Sequence, residues 1–154
     1  MRPTLFNLAA LIAFVSLTSC TGRSAPVVAS TPRAVTITVG ITPTDSGPWS
    51  ASGAFEDSGT YHRGDVQLSG PVSLSPVGHT IHEKDTFTGS RGGSFTIKAQ
   101  GLFTFMSGGG CCDLSGQWTI AGGTGKYAGL RGQGTFTRSG DTVIQQGQVQ
   151  FSGR

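Results

Sequence analysis

The sequence predicts an all-β fold, namely a single closed antiparallel β-barrel of eight strands. Three observations support this prediction. Apolar and polar residues alternate with a period of two from residue 34 to the end of the chain, and no apolar stripe with helical spacing occurs. Glycines alternate with aromatic residues on the predicted inner face, a pattern that suits the tight curvature of a small barrel. A β-sandwich is the alternative.

The N-terminal residues predict an export signal that precedes the fold. Residues 1–19 combine a basic start at Arg2 with a short apolar run, which is typical of a secretory signal peptide and too short for a membrane-spanning helix. The end of this segment, Leu17 to Cys20, resembles the bacterial lipobox, in which a cysteine receives fatty acyl chains such as palmitate. Residues 20–33 then hold the lipidated Cys20 and a flexible Ser/Thr/Pro-rich tether.

These features predict the location of the protein. The barrel domain, residues 34–154, is expected to be bound to a membrane through the lipid on Cys20, in a bacterial cell envelope, facing the periplasm or the exterior. Thr21 follows the cysteine where an Asp would retain the protein at the inner membrane, so the outer membrane is expected if the host has one.

The first half of the domain contains four predicted strand regions. The segment 34–41 places Val35, Ile37, Val39 and Ile41 on one face. The segment 48–57 places Trp49, Ala51, Gly53 and Phe55 together, and 62–70 does the same for Gly64, Val66 and Leu68, with a short strand at 71–75. The segment 79–89 places His79, Ile81, Glu83, Asp85 and Phe87 on one side.

The second half shows the pattern more clearly. The segment 94–105 places Phe95, Ile97, Ala99, Gly101, Phe103 and Phe105 on one face. The segments 114–123 and 132–140 contribute Leu114, Gly116, Trp118, Ile120, Gly132, Gly134 and Phe136. The last segment, 141–153, points Val143, Gly147, Val149 and Phe151 inward and Gln146, Gln148 and Gln150 outward. Ser-Gly and Gly-Gly turns separate the segments.

Charge and cysteine content exclude some functions. The formal net charge is +3, and the basic residues are scattered without a run, so we expect no nucleic-acid partner. Cys111 and Cys112 are adjacent, which leaves a strained vicinal disulfide, intermolecular pairing or two free thiols open. His79, His82 and Glu83 cannot form a chelate from one strand, because residues three apart point to opposite faces. We therefore expect His79 and His82 to lie at the barrel rim or on the surface. We expect the protein to bind no metal ion and no cofactor.

The segment 121–137 is rich in glycine and superficially similar to a phosphate-binding loop. Lys126 is followed by Tyr127, not by the Ser or Thr that a P-loop requires, and a strand follows within a few residues instead of a helix. The glycines are better explained by a turn at the barrel end, with Gly122, Gly123 and Gly125 permitting positive φ. Tyr127 and Leu130 would pack over that end.

This segment resembles the strand–loop–strand unit of the allene oxide cyclase/dirigent-like β-barrel superfamily. The resemblance includes Gly122, Gly123, Thr124, Gly125, Tyr127, Ala128, Gly129, Gly132 and Gly134. The block 85–105 resembles a bacterial branch of the same superfamily. The two blocks cover about half of the mature chain. The resemblance implies a barrel whose relatives include isomerases and stereochemical guides, which often oligomerise, so a homo-oligomer is a possible state.

Two sets of residues are the candidates for a functional site. Glu83 and Asp85 share the face of Ile81 and Phe87, which places two carboxylates in the barrel interior, where burial should raise their pKa. They are the catalytic candidates, with solvent-exposed carboxylates at a strand end as the alternative. The aromatic residues expected to line a ligand cavity, or simply to form the core, are Trp49, Phe55, Phe95, Phe103, Trp118 and Phe136.

The sequence leaves three functions open. The first is a non-enzymatic protein of the cell envelope that binds a small apolar ligand in its barrel. The second is a cyclase- or isomerase-like enzyme that uses Glu83 or Asp85 as an acid or base at the barrel mouth. The third is a structural module that oligomerises through its outer surface. No complete catalytic signature decides among them, although the balance favours a non-enzymatic role.

Overall fold

The computed structural model describes residues 30–69, 79–104 and 113–152. These residues form nine β-strands and one short 3₁₀-helix, η1. The elements are β1 (Arg33–Gly40), β2 (Ser46–Gly53), β3 (Asp57–His62), β4 (Val66–Ser69), β5 (His79–Gly89), β6 (Ser94–Thr104), β7 (Asp113–Gly123), η1 (Gly125–Tyr127), β8 (Leu130–Ser139) and β9 (Thr142–Phe151). Cys20, Phe105, Cys111 and Cys112 lie outside the described residues, as do the predicted signal peptide and the predicted strand at 71–75.

The strands form a closed antiparallel barrel, as the sequence predicts. Their order is β3-β2-β1-β9-β8-β7-β6-β5-β4, and a further pairing between β3 and β5 closes the ring through eight strands. The short strand β4 lies outside the ring. It continues along the same edge of β5 that β3 uses, because β3 pairs with residues from Thr86 to Gly89 and β4 with residues from Thr80 to Glu83.

The predicted alternation fixes which side chains enter the core. Val35, Ile37 and Val39 of β1 are buried, and so are Phe95 and Ile97 of β6. The rings near one end of the barrel pack in perpendicular and stacked pairs: Trp49 lies edge-on to Phe87 and Phe95, and those two phenyl rings stack with centroids 4.8 Å apart. Such contacts stabilise an aromatic core beyond the effect of burial alone.

Paired glycines curve the sheet toward the core. Gly101 faces Gly116 across β6 and β7, and Gly134 faces Gly147 across β8 and β9. A methyl group on Gly147 would lie 2.7 Å from the ring of Trp118. Because these inward positions carry no side chain, the backbone lies directly against the large rings of neighbouring strands.

The predicted extent of the second strand, residues 48–57, was wrong. Gly53 has φ of 99°, so β2 ends there, and the chain turns before Phe55 instead of passing through it. No strand was predicted for residues 58–61, but they form the middle of β3. Val66 and Leu68 were expected to face the core, but their exposed fractions are 42% and 59%, because β4 lies beyond the closed ring.

The glycine-rich segment forms a turn that covers one end of the barrel. Tyr127 in η1 and Leu130 at the start of β8 are both fully buried, as predicted. Gly125 and Gly129 have φ of 56° and 77°. The expectation of positive φ at Gly122 and Gly123 was wrong, because both belong to the extended strand β7, and only Gly123 is in close contact with Tyr127.

Candidate functional site

A polar cluster, defined here as Tyr61, Arg63, Glu83, Asp85 and Gln145, occupies the barrel interior at the end opposite the Tyr127 turn. We call this end the mouth. Tyr61 belongs to β3, Arg63 follows it, Glu83 and Asp85 come from β5, and Gln145 comes from β9. All five line one cavity together with apolar side chains of β1 and β7–β9. The two-residue period of β5 puts both carboxylates on the inner face.

Glu83 forms an ion pair with Arg63. The Glu83 Oε2 and Arg63 Nε atoms are 3.5 Å apart and do not form a hydrogen bond. Burial raises the pKa of Glu83, although the positive charges of Arg63 and Arg138 act in the opposite direction. Burial also opposes the charge of Arg63, but the nearby Tyr61 and the two carboxylates outweigh that effect and raise its pKa.

Asp85 has the most altered acidity in the cluster. Its exposed fraction is 3%, and burial together with the charge of Glu83 raises its pKa from 3.8 to about 7. A backbone hydrogen bond from Gly64 and the charge of Arg63 oppose this shift. Burial and the charge of Asp85 also raise the pKa of Tyr61. Asp85 therefore exchanges its proton near neutral pH, which is the range that acid–base chemistry needs.

Four buried polar atoms in the cluster have no hydrogen-bond partner among the described residues. They are Arg63 Nε, Glu83 Oε2, Asp85 Oδ1 and Gln145 Oε1. The cavity that these residues line has a volume of about 10 Å³, which is just enough for one water molecule. Buried polar groups are nearly always hydrogen-bonded, so these atoms fit one small polar occupant, such as a water molecule or a single hydroxyl group.

The aromatic residues predicted to line a ligand cavity occupy different places. Phe136 lies along the mouth cavity. Trp49, Phe95 and Trp118 are buried in the core, and the indole nitrogens of both tryptophans donate hydrogen bonds of 3.0 Å to backbone carbonyls. Phe55 and Phe103 are partly buried and pack against the same core. Five of the six are thus placed as packing residues and do not line the mouth cavity.

A second buried acidic residue lies at the covered end. Asp57 accepts hydrogen bonds from the hydroxyls of Tyr127 and Ser90 and pairs with the ammonium group of Lys126. Burial opposes ionisation of this carboxyl, but these partners, with a backbone hydrogen bond from Ser58, outweigh it and hold its pKa well below its usual range. The arrangement joins η1 to the start of β3, and its oxygen atoms have partners, so its role is structural.

Sequence reasoning found the two carboxylates of the mouth but missed several partners. Tyr61 and Arg63 were assigned no role from the sequence. Gln145 was hidden in a run of glutamines, because the neighbouring Gln146, Gln148 and Gln150 face outward. A strict alternation count from Val143 to Val149 would have placed Gln145 on the inner face. His79 was expected at the rim or surface; it is buried, and His82 is exposed.

No protein-family model matches the chain, and no curated protein and no solved structure matches it. Within residues 30–69, 79–104 and 113–152, no group of three or more His, Cys, Asp or Glu side chains could hold a metal ion. The same residues contain no helix that is long and apolar enough to cross a membrane.

Proposed function

We propose that this protein is an exported, lipid-anchored barrel of the bacterial cell envelope that binds a small, largely apolar molecule at its mouth. The observation that carries the proposal is the set of four polar atoms around the mouth cavity that form no hydrogen bond; two of them, Arg63 Nε and Glu83 Oε2, face each other as an ion pair. The resemblance to the allene oxide cyclase/dirigent-like superfamily supports it, because its members include isomerases and stereochemical guides, which act on small molecules.

The polar cluster restricts the chemistry of the ligand. Gln145 Oε1 accepts hydrogen bonds, as the Glu83 and Asp85 oxygens do when ionised, whereas Arg63 Nε and the protonated form of Asp85 donate. A hydroxyl group on the ligand fits this set, because it both donates and accepts. Leu114 and Val143 beside the cavity are buried, and Ile41 is partly exposed, so Ile41 is the lining residue that an apolar remainder of the ligand would contact. The cavity itself admits only the polar group, so the body of the ligand would lie at the mouth.

Asp85 supports a second candidate function, an isomerase- or cyclase-like reaction. A carboxyl with a pKa of about 7 can both give and take a proton at neutral pH. Asp85 would hold the proton at one of its carboxyl oxygens, and Arg63 would stabilise negative charge that develops on the bound molecule. This candidate rests on the same binding site.

The chemical state of the N-terminus of the mature protein tests whether the lipid anchor is present. Mass spectrometry of the protein extracted from membranes of its own host should find an acylated Cys20 as the first residue. Replacement of Cys20 by alanine should release the barrel from the membrane. An unmodified N-terminus at any other residue would refute the anchor and leave the binding proposal standing.

Native mass spectrometry of the protein from its own host tests the binding site. We expect a bound small molecule on the wild-type chain and its loss in the Gln145→Leu variant, which removes one acceptor at the mouth. Gln146→Leu is the matched control, because Gln146 is the next residue and is exposed on the outer face. An empty wild-type protein, or equal occupancy in both variants, would contradict the proposal.

A further inference from the structure

The outer face of the barrel carries a second surface, which is separate from the mouth cavity. The strands from β4 to β9 form a concave groove, called here the outer groove, with a volume of about 1290 Å³. Its side chains are the outward-facing members of each strand, and its floor is backbone. In size it far exceeds the mouth cavity.

The glycine pairs of the core explain why this face is concave. Gly101, Gly116, Gly134 and Gly147 all border the groove through their backbone. Because these positions lack inward side chains, the sheet lies closer to the core there, and its outer surface is correspondingly recessed. The recess is therefore built into the strand sequences and does not depend on a loop.

Polar side chains cross the groove in a regular row. By strand register, Gln67 lies beside His82, His82 beside Gln100, Gln100 beside Gln117, and Gln117 beside Thr135. Neighbouring strands are about 4.8 Å apart, so the row repeats a hydrogen-bonding group at that spacing. Amide and hydroxyl groups both donate and accept hydrogen bonds, as the hydroxyl groups of a sugar do.

A pair of lysines lies beside this row. Lys84 and Lys98 are directly opposite each other on β5 and β6, and both are exposed. Within the described parts of the chain, neither forms an ion pair. Like charges directly opposite on a sheet are destabilising. The carboxylates that border the groove are Asp65 and Glu83, and Glu83 is already paired with Arg63. Asp65 is exposed and lies near Lys84, whose backbone N–H donates a hydrogen bond to the Asp65 carbonyl. Asp65 therefore offsets one of the two lysines, and the groove keeps a net positive charge.

We propose that the outer groove binds a strand of an anionic polysaccharide, whose carboxylates pair with Lys84 and Lys98 and whose hydroxyls bond to the Gln/Thr row. This binding is additional to the small-molecule site at the mouth. The groove fits an extended polymer because the row crosses five strands in a straight register. Nucleic acid fits it less well, since only two lysines contribute and the exposed large apolar residues of the described chain are aliphatic. His82 is then the one ring in the row on which a base could stack.

Binding of polygalacturonate to the full-length protein tests this proposal. The matched probe is the methyl ester of the same polymer, which keeps the hydroxyls and loses the charge. We expect polygalacturonate to bind and the ester to bind at least about tenfold more weakly. Lys84→Gln and Lys98→Gln should each weaken binding by about threefold or more, a typical effect of one exposed charge pair. Gln117→Leu should also weaken it.

Arg91→Gln and Arg131→Gln are the controls, because both arginines are exposed outside the groove and their loss changes the net charge equally. They should bind polygalacturonate as the wild type does. Three results would overturn the proposal: no binding to the wild type, equal weakening by the control and the lysine variants, or tighter binding of single-stranded DNA than of polygalacturonate. Circular dichroism of each variant confirms that the barrel is intact.

Discussion

The hydroxyl of Tyr127 donates a hydrogen bond to Asp57, which joins the turn before β8 to the first residue of β3 across 70 positions of sequence. Both side chains are buried. The contact explains why the glycine-rich segment contains a tyrosine at this point. The glycines on either side of Tyr127 shape a turn. The hydroxyl of Tyr127 fixes this turn to β3, and the ring of Tyr127 covers the barrel end.

Replacement of Tyr127 by phenylalanine should destabilise the barrel. The variant keeps the ring but removes one hydrogen-bond donor from a buried carboxylate, which costs about 1–3 kcal/mol. Urea unfolding followed by tryptophan fluorescence measures the change in the free energy of unfolding. A Tyr127→Phe variant as stable as the wild type would show that the hydrogen bond does not hold the turn.

Asp57 should make the protein sensitive to acid. Its folded-state pKa lies below the ordinary value of 3.8, so its contribution to stability is present above that pH and is lost as the pH falls below it. Asp57→Asn should be less stable than the wild type at neutral pH, and the difference should shrink between about pH 4 and pH 2. Urea unfolding across this range measures it, and a constant difference would contradict the assignment.

Asp85 should have the opposite effect at higher pH. Between its ordinary value of 3.8 and about 7 the folded chain retains a proton that the unfolded chain has released, so stability falls as the pH rises through this window. The variant Asp85→Asn has no ionisable group at this position, so its stability does not fall in this pH window for that reason. It should match the wild type at low pH and be more stable by roughly 2–4 kcal/mol at pH 8. Equal stability of the two proteins at pH 8 would mean that Asp85 is not desolvated.

Two glycine substitutions should separate a closely packed strand position, Gly147 in β9, from an open one, Gly122 near the end of β7. Gly147→Ala would push a methyl group against the Trp118 ring and the opposite strand, and such overpacking typically costs 1–3 kcal/mol. Gly122→Ala meets no atom within 4 Å and needs no positive φ, so it should change the free energy of unfolding by less than about 0.5 kcal/mol. Thermal unfolding of both variants tests the pair, and similar melting temperatures would contradict the role of the glycines.

The fold could be predicted from the sequence because one face of almost every strand is apolar. Alternation placed Val35, Phe95 and Trp118 correctly, and the glycine–aromatic pattern indicated closure. The errors arose where backbone geometry, not hydrophobicity, ends a strand. Gly53 terminates β2 through its positive φ, and no periodicity in the sequence reveals that, so the neighbouring strand β3 was missed.

The site could be predicted only in part. Glu83 and Asp85 lie on a strand with clear alternation, so their inward direction followed from the pattern. Arg63 and Gln145 reach the same cavity from elements that are distant in sequence, and only the register of β3, β5 and β9 brings them together. The pKa shift of Asp85 depends on that assembly, because it needs both the desolvation of the closed barrel and the charge of Glu83.

The titration of Asp85 most directly tests whether the mouth contains a buried carboxyl group with a raised pKa. Its carboxyl carbon can be followed by ¹³C NMR of the folded protein as the pH changes, with Glu83→Gln as the comparison. We predict a midpoint near pH 7 in the wild type and a lower midpoint in Glu83→Gln, where one neighbouring negative charge is gone. A wild-type midpoint near pH 4 would contradict the account, because Asp85 would then be an ordinary hydrated carboxylate and not a buried proton carrier.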